Sequence, residues 1–135
     1  PYPPEILEAI AQYVRDTLQA SGFRFQPLPG PLVGTSGACS VSRSILAHRM
    51  GRPFSQAPNE LSIFYLKALL HEVANMDHIK RAQIPQLPAT RADIFPTSLI
   101  TLITLLELTG SNNILHCPRN LRFGLAAKLL ADLSG

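Results

Sequence analysis

A short apolar run, Leu32-Val33, leads into the turn Gly34-Thr-Ser-Gly37, and a helical pattern begins directly after it. A strand that turns straight into a helix is typical of an α/β fold. A second apolar segment at residues 113–117 predicts another strand, and the helices between the two strands favour parallel pairing. Two strands make a small sheet. The sequence therefore predicts a helix-rich α/β fold with few parallel strands.

Helical periodicity and turn residues predict six helices around these strands. The first opens at Pro3-Pro4-Glu5 and ends at Ser21-Gly22. The third is predicted to begin after Asn59 as its N-cap, with Glu60 in its first turn. The fifth, at residues 92–108, is apolar on nearly every side, which is typical of a central helix. The remaining predicted helices lie at residues 38–50, 76–83 and 121–133.

The composition narrows the class of protein. The chain has 135 residues, 46% of them hydrophobic, and a formal net charge of +3 at pH 7. This suits one domain with its own core and excludes a disordered chain. No run of Lys and Arg predicts a nucleic-acid groove, and the longest apolar stretch, residues 94–106, is too short to span a bilayer. Cys39 and Cys117 are too few for a disulfide framework, and we interpret them as buried, reduced thiols of a cytoplasmic protein.

The turn of Gly34, Thr35, Ser36 and Gly37 is a candidate anion site. A helix that starts at such a turn leaves backbone N–H groups free where the helix dipole favours negative charge. The turn lacks the lysine of a P-loop and the glycine spacing of a dinucleotide-binding fold. The alternative is that the glycines only shape a tight turn.

Two arginines accompany this turn as candidates for binding an anion. Arg91 precedes the fifth helix and could either pair with a carboxylate or reach a phosphate. Asp93, two residues later, is predicted to cap that helix. Arg122 lies in the first turn of the last helix, where the helix dipole disfavours a cation, so it is either a solvated arginine or a partner for an anion.

Neither a metal site nor a general base is predicted in this chain. His71-Glu72 begins a zinc-binding HExxH pattern, but Asn75 occupies the position of the second histidine. His48 and His116 are interpreted as ordinary, partly buried histidines. No carboxylate lies beside the glycine turn in the sequence, so none is nominated to activate water.

Three segments together resemble one protein family. These are LVGTSGA at residues 32–38, TRADIFP at residues 90–96 and LRFGL at residues 121–125. In order and spacing they are similar to the second domain of the exopolyphosphatase and guanosine pentaphosphate phosphohydrolase family (Ppx/GppA). The resemblance covers nearly the whole chain, and the RAD segment is the most specific of the three.

The resemblance implies a partial domain of the actin-like, sugar-kinase-like (ribonuclease H-like) fold. It implies a C-terminal fragment, residues 1–135, of a phosphatase that hydrolyses phosphoanhydride bonds of polyphosphate or guanosine pentaphosphate, with a homodimer as one assembly. The phosphate or nucleotide contacts carried over to this chain are Gly34, Thr35, Ser36, Gly37, Arg91 and Arg122. The family's catalytic glutamate and first phosphate loops match nothing here. No catalytic residue and no bound cofactor are therefore expected in this chain, and a divalent metal such as Mg²⁺ belongs to the intact protein.

Three positions depart from the family pattern. Ala38 replaces the threonine of the glycine turn, Phe123 replaces the glutamate of an LREG motif, and Asn120 stands where glycine is usual. Two alternatives to an enzyme fragment follow. The first is a regulatory or binding module that has lost catalysis, and the second is a helical interaction domain whose motifs only shape turns.

Overall fold

The computed structural model describes all residues from Pro1 to Gly135, and its elements form three short strands and six helices. In chain order they are α1 (Pro4–Ala20), β1 (Leu32–Gly34), α2 (Gly37–Arg49), β2 (Glu60–Ser62), α3 (Ile63–Asn75), α4 (His78–Arg81), α5 (Phe95–Leu108), β3 (Asn113–His116) and α6 (Leu121–Ser134). Short 3-10 turns lie at Phe54–Gln56 and Ala89–Arg91. The predicted helix-rich α/β fold is confirmed.

The three strands form one mixed sheet in the order β1-β3-β2. Strands β1 and β3 are parallel, with Gly34 opposite His116, which confirms the predicted pair. Strand β2 runs antiparallel to β3, with Leu61 opposite Ile114. Because β1 and β3 end at the same edge of the sheet, the turn after Gly34 and the segment after His116 lie side by side there.

The prediction that a helix begins after Asn59 is wrong. Residues 60–62 form strand β2 instead, and the carbonyl of Asn59 accepts a hydrogen bond from the backbone N–H of His116 at 2.7 Å. Helix α3 begins only at Ile63, where the Ser62 hydroxyl accepts a hydrogen bond from the N–H of Tyr65 at 3.1 Å. Pairing with β3 buries Leu61 completely, and that burial outweighs the local capping signal.

Helix α5 is the centre of the core, as its composition predicts. Eight of its side chains are buried, including Leu99 and Leu106, which are fully enclosed. The helix packs against both α3 and α1. It begins at Phe95 rather than at residue 92, because residues 89–91 form a 3-10 turn and Pro96 occupies its first turn.

Asp93 does not cap α5 as predicted. The residue that flanks the helix is Ile94, which has no side-chain acceptor, and the N–H that binds the Asp93 carboxylate is that of Ile94, at 2.9 Å. The 3-10 turn shifts the helix start by three residues and leaves Asp93 outside the N-cap position. Its carboxylate therefore stabilises the entry loop and not the first turn of the helix.

Charged groups hold α1 and α3 to one end of α5. Glu107 on α5 accepts from Arg15 of α1 at 2.8 Å and from Lys67 of α3 at 2.9 Å. Partial burial raises the pKa of the Glu107 carboxyl, but hydrogen bonds from Lys67 and Arg15 outweigh it, so the pKa is lowered.

None of the helices has the combined length and apolarity that crossing a membrane requires.

Helix α6 buries none of its side chains against the rest of the chain. It has no buried residue, and its leucines at positions 121, 125, 129 and 133 are all more than half exposed. Its start is ordinary, with the Asn120 side chain accepting a hydrogen bond from the N–H of Arg122 at 3.1 Å. Helix α6 therefore contributes no buried side chain to the core formed by residues 1–120.

Removing residues 121–135 is expected to change the free energy of unfolding by less than about 1 kcal/mol, because no buried contact is lost. Urea unfolding followed by circular dichroism measures this. As a calibration, Leu99→Ala in the core should cost about 2–5 kcal/mol, whereas Leu129→Ala on α6 should cost almost nothing. A truncated chain that is several kcal/mol less stable would contradict this fold.

Candidate functional site

The glycine turn begins helix α2 and leaves backbone donors free. Ser36 is the N-cap, and its hydroxyl accepts a hydrogen bond from the N–H of Cys39 at 3.4 Å. The N–H groups of Gly37 and Ala38 have no partner within the protein. These two donors, at the positive end of a 13-residue helix, can bind an anion.

Gly34 is needed for packing inside the protein and is not part of the exposed surface of the turn. It is buried, and a Cβ at this position would lie 2.5 Å from the Cys39 sulfur and 2.7 Å from Cδ1 of Ile114. Its carbonyl accepts from the N–H of Cys117 at 2.9 Å. Thr35, next along the chain, is exposed and lies outside the cleft described below.

Arg91 lies directly over the first residue of α2. The 3-10 turn at Ala89–Arg91 brings its guanidinium so close to Gly37 that any Cβ at position 37 would collide with Nη1. The side chain is exposed and forms none of the ion pairs of the structure. Arg91 thus adds an uncompensated positive charge to the free N–H groups of the helix end.

The loop that carries Arg91 is fixed by a residue that the sequence did not single out. Arg81 is 3% exposed and donates to the carbonyl of Ala92 at 3.0 Å, and also to the carbonyls of Val73 (2.9 Å) and Met76 (2.7 Å). Tyr2 covers the Arg81 guanidinium, 5.1 Å from its ring centre, and donates its hydroxyl to the carbonyl of Asp93 at 2.8 Å. The carbonyls of Ala92 and Asp93, the two residues that follow Arg91, are therefore both held by hydrogen bonds.

Ser36, Gly37 and Arg91 line one cleft between helices α2 and α5, with a volume of about 470 Å³. Beyond this polar mouth the walls are mostly aliphatic. The remaining lining residues are Ala38, Val41, Ile94, Phe95, Ser98, Thr101, Leu102 and Leu105. No carboxylate lines the cleft, so Arg91 is its only charged side chain.

Arg122 does not line this cleft. It follows strand β3 at the same edge of the sheet, but it belongs to α6, which extends away from the rest of the chain. The structure therefore brings together Ser36, Gly37 and Arg91 of the six predicted residues. Gly34 and Thr35 flank these three in sequence, and Arg122 stands apart.

A second buried arginine that the sequence did not reveal lies beneath the edge of the sheet. Arg43 of α2 donates to the carbonyl of Ala57 at 2.9 Å and to Nδ1 of His116 at 3.4 Å, and it lies over the ring of Phe54. Its Nε has no partner. Burial, and then the positive charge of Arg43, lower the pKa of His116.

His116 is buried, in line with its interpretation as a partly buried histidine. His48 is exposed, so the interpretation of His48 as partly buried is wrong.

The other candidates for chemistry are dispersed. His71 is exposed, and its ring and its carbonyl both face the side chain of Asn75. The structure contains no group of three His, Cys, Asp or Glu side chains that could hold a metal. Cys39 is buried, Cys117 is half-buried and both are free, while burial raises the pKa of the Cys39 thiol.

The fold is shared with solved structures of phosphatases. The chain superimposes on an Aquifex aeolicus Ppx/GppA family member with a TM-score of 0.80 and 14% identity, over 98% of this chain and 43% of that one. The type II variant of the Aquifex aeolicus Ppx/GppA phosphatase gives a TM-score of 0.77 at 15% identity, over 93% and 41%. An exopolyphosphatase from Cytophaga hutchinsonii gives 0.74 at 17%, over 96% and 43%.

These structural similarities establish the fold, although sequence identities of 14–17% would not establish it by themselves. The chain spans only about two-fifths of the length of the structures it resembles. No protein-family model and no curated protein matches the sequence. The predicted similarity to the Ppx/GppA fold is confirmed at the level of structure.

The lowered pKa of His116 predicts how stability changes with pH. The unfolded chain binds this proton near pH 6.5, whereas the folded chain binds it only at lower pH. The free energy of unfolding therefore has its full value above pH 6.5. It falls as the pH drops through that value toward the lower pKa of His116 in the folded chain. Urea unfolding between pH 7.5 and 5 should show this fall, and His116→Asn should flatten it. The matched variant His48→Asn, at an exposed site, should retain the slope, and equal slopes in both variants would contradict the assignment.

Proposed function

We propose that this chain is part of a Ppx/GppA-type phosphatase, in which it forms one wall of the phosphate-binding cleft. The whole protein would hydrolyse phosphoanhydride bonds of polyphosphate or guanosine pentaphosphate in the cytoplasm. The shared fold supports the family, and the partial coverage of the related structures supports a fragment. The site in this chain consists of Ser36, Gly37 and Arg91.

The observation that carries this proposal is the position of Arg91 over Gly37. A guanidinium with no carboxylate partner and two free backbone N–H groups face the same cleft mouth. Charge-assisted hydrogen bonds from a guanidinium suit phosphate oxygens, and a helix N-terminus adds to the attraction. These three donors converge where no carboxylate is present, and such an arrangement is well suited to binding a phosphate group.

The same cleft supports binding without cleavage by this chain alone. Hydrolysis of a phosphoanhydride requires a group that accepts a proton from the attacking water. No carboxylate or histidine lines the cleft. In the family that the chain resembles, the catalytic glutamate comes from a part of the protein that has no counterpart here.

The donor set of this chain does not fit a divalent metal. Mg²⁺ prefers carboxylate and phosphate oxygens, and the cleft contains no carboxylate. We therefore assign no step to a metal held by these residues. Any Mg²⁺ of the intact protein would take its ligands from the substrate and from residues outside the 135 described.

A regulatory or binding module is the second candidate function. Ala38 favours it, because its N–H faces the cleft mouth but no hydroxyl replaces that of the usual threonine. Phe123 favours it too, since it lies exposed on α6 where a glutamate would orient Arg122. Such a module would bind the phosphate ligand without turning it over in any context.

Binding of tripolyphosphate tests the anion site. Isothermal titration of the chain at pH 7.5 and low salt should detect binding, and Arg91→Gln should weaken it by about tenfold or more, because a charge-assisted contact is lost. Arg24→Gln removes another exposed arginine outside the cleft and should leave the affinity almost unchanged.

Gly37→Ala is a sharper version of this test. The new Cβ displaces the Arg91 guanidinium, so affinity should fall, although alanine in a helix should not lower stability. Gly124→Ala on α6 is the matched control, because a Cβ there meets nothing within 4 Å. Affinity that is equal in the native chain, Arg91→Gln and Gly37→Ala would remove the basis of the proposal.

The purified chain is expected to release no phosphate from polyphosphate, with or without Mg²⁺, since no group in the cleft can activate water. A phosphate-release assay measures this against a no-protein blank. Turnover that persists through purification and disappears in Arg91→Gln would contradict the assignment of a non-catalytic wall.

A further inference from the structure

We propose that Tyr2 is a positioning residue for the anion site, acting through the loop that carries Arg91. The inference rests on the proposed function and adds a residue that tunes the affinity of that same site. The Tyr2 hydroxyl donates to the carbonyl of Asp93 at 2.8 Å, across 91 positions of sequence. A residue ahead of the first helix is thereby connected to the loop beside the cleft mouth.

The loop is held differently on the two sides of Arg91. On its N-terminal side the backbone closes a 3-10 turn through its own hydrogen bonds. On its C-terminal side no backbone N–H donates to the carbonyl of Ala92 or to that of Asp93. Arg81 supplies the donor for Ala92, and Tyr2 supplies the donor for the next carbonyl. The position of the loop after Arg91 therefore depends on two side-chain contacts.

Arg81 and Tyr2 differ in what their loss would do to the fold. Arg81 is 3% exposed, and its loss would leave buried carbonyls without donors, which costs stability. The hydrogen bond between Tyr2 and Asp93 is exposed, so water can take the place of the Tyr2 hydroxyl. Tyr2 is therefore the contact at which the loop can be released while the core stays intact.

The Tyr2 hydroxyl is held in place by two attachments that do not involve it. The Tyr2 N–H donates to the carbonyl of Ala74 at 2.7 Å, and the ring lies over the Arg81 guanidinium, 5.1 Å from the ring centre. Backbone and ring are thus both fixed, which preorganises the hydroxyl toward Asp93. Phenylalanine keeps both attachments, so Tyr2→Phe removes the hydroxyl alone.

The position of the loop decides where the Arg91 guanidinium lies. The Arg91 side chain is exposed and forms no ion pair, so its position follows that of the backbone that carries it. A loop that is free to take more positions presents the guanidinium at the cleft mouth for a smaller fraction of the time. The affinity for an anion falls with that fraction.

Tyr2→Phe tests this inference on the 135-residue chain. Tripolyphosphate is titrated calorimetrically at pH 7.5 and low salt. The variant should bind about threefold more weakly than the native chain, a partial loss because the 3-10 turn and the Arg81 contact remain. Tyr13→Phe is the matched control. It removes a hydroxyl from a tyrosine that is 73% exposed outside the cleft, so the affinity should stay unchanged.

Three further measurements distinguish positioning from a structural role. In an Arg91→Gln background, Tyr2→Phe should weaken binding no further, because no guanidinium remains to be positioned. In the ligand-free chain, Tyr2→Phe should shift the amide resonance of Gly37, beside which the guanidinium lies, whereas Tyr13→Phe should not. The urea midpoint of Tyr2→Phe should stay close to that of the native chain, because the hydrogen bond that is removed is exposed.

The outcomes separate this inference from the proposed function. Equal tripolyphosphate affinity in the native chain and in Tyr2→Phe would overturn the inference while the anion site stands. The same loss of affinity in the Arg91→Gln background would also overturn it, because Tyr2 would then act by another route. Absence of tripolyphosphate binding by the native chain would overturn the proposed anion site, and the inference with it.

Discussion

A buried arginine with no carboxylate partner holds the candidate site in place. Arg81 donates to three backbone carbonyls and is covered by the ring of Tyr2. A buried charge is strongly unfavourable unless its hydrogen bonds are satisfied, so the positions of those carbonyls are tightly constrained. One of them belongs to Ala92, the residue after Arg91. The placement of Arg91 thus depends on where α3 ends and where α4 begins.

The two glycines of the turn follow from different constraints. Gly34 has no side chain because Cys39 and Ile114 occupy that space within the core. At Gly37 the space that a Cβ would take is occupied by the end of the exposed Arg91 side chain, which can move aside. Only the second constraint involves a charged group that is free to meet a ligand. The motif is therefore structural at its first glycine and a candidate for function at its last.

The elements that could be predicted from the sequence are those with local signals. Proline at the start of α1, glycine at its end and the largely apolar composition of α5 depend on nearby residues alone. Strand β2 has only three residues, and its existence depends on β3, which lies more than fifty positions away. A capping signal at Asn59 could not reveal that pairing.

The site was predictable only in part, for a related reason. The approach of Arg91 to Gly37 follows from the resemblance of short motifs, but the anchor at Arg81 has no local signal, because a buried arginine and a solvated one look alike in sequence. Arg122 carries the same kind of signal as Arg91. It lies on a helix that has no buried residue and outside the cleft lining, so its relation to the cleft does not follow from this chain.

Binding a phosphate and cleaving it place opposite demands on the surroundings of Arg91. A carboxylate within a few ångströms would pair with the guanidinium and repel the anion. Yet proton transfer from water requires a basic group near the same phosphorus atom. The conflict is avoided when the donors stand on one side of the ligand and the base on the other. The acid-free cleft of this chain satisfies the first condition.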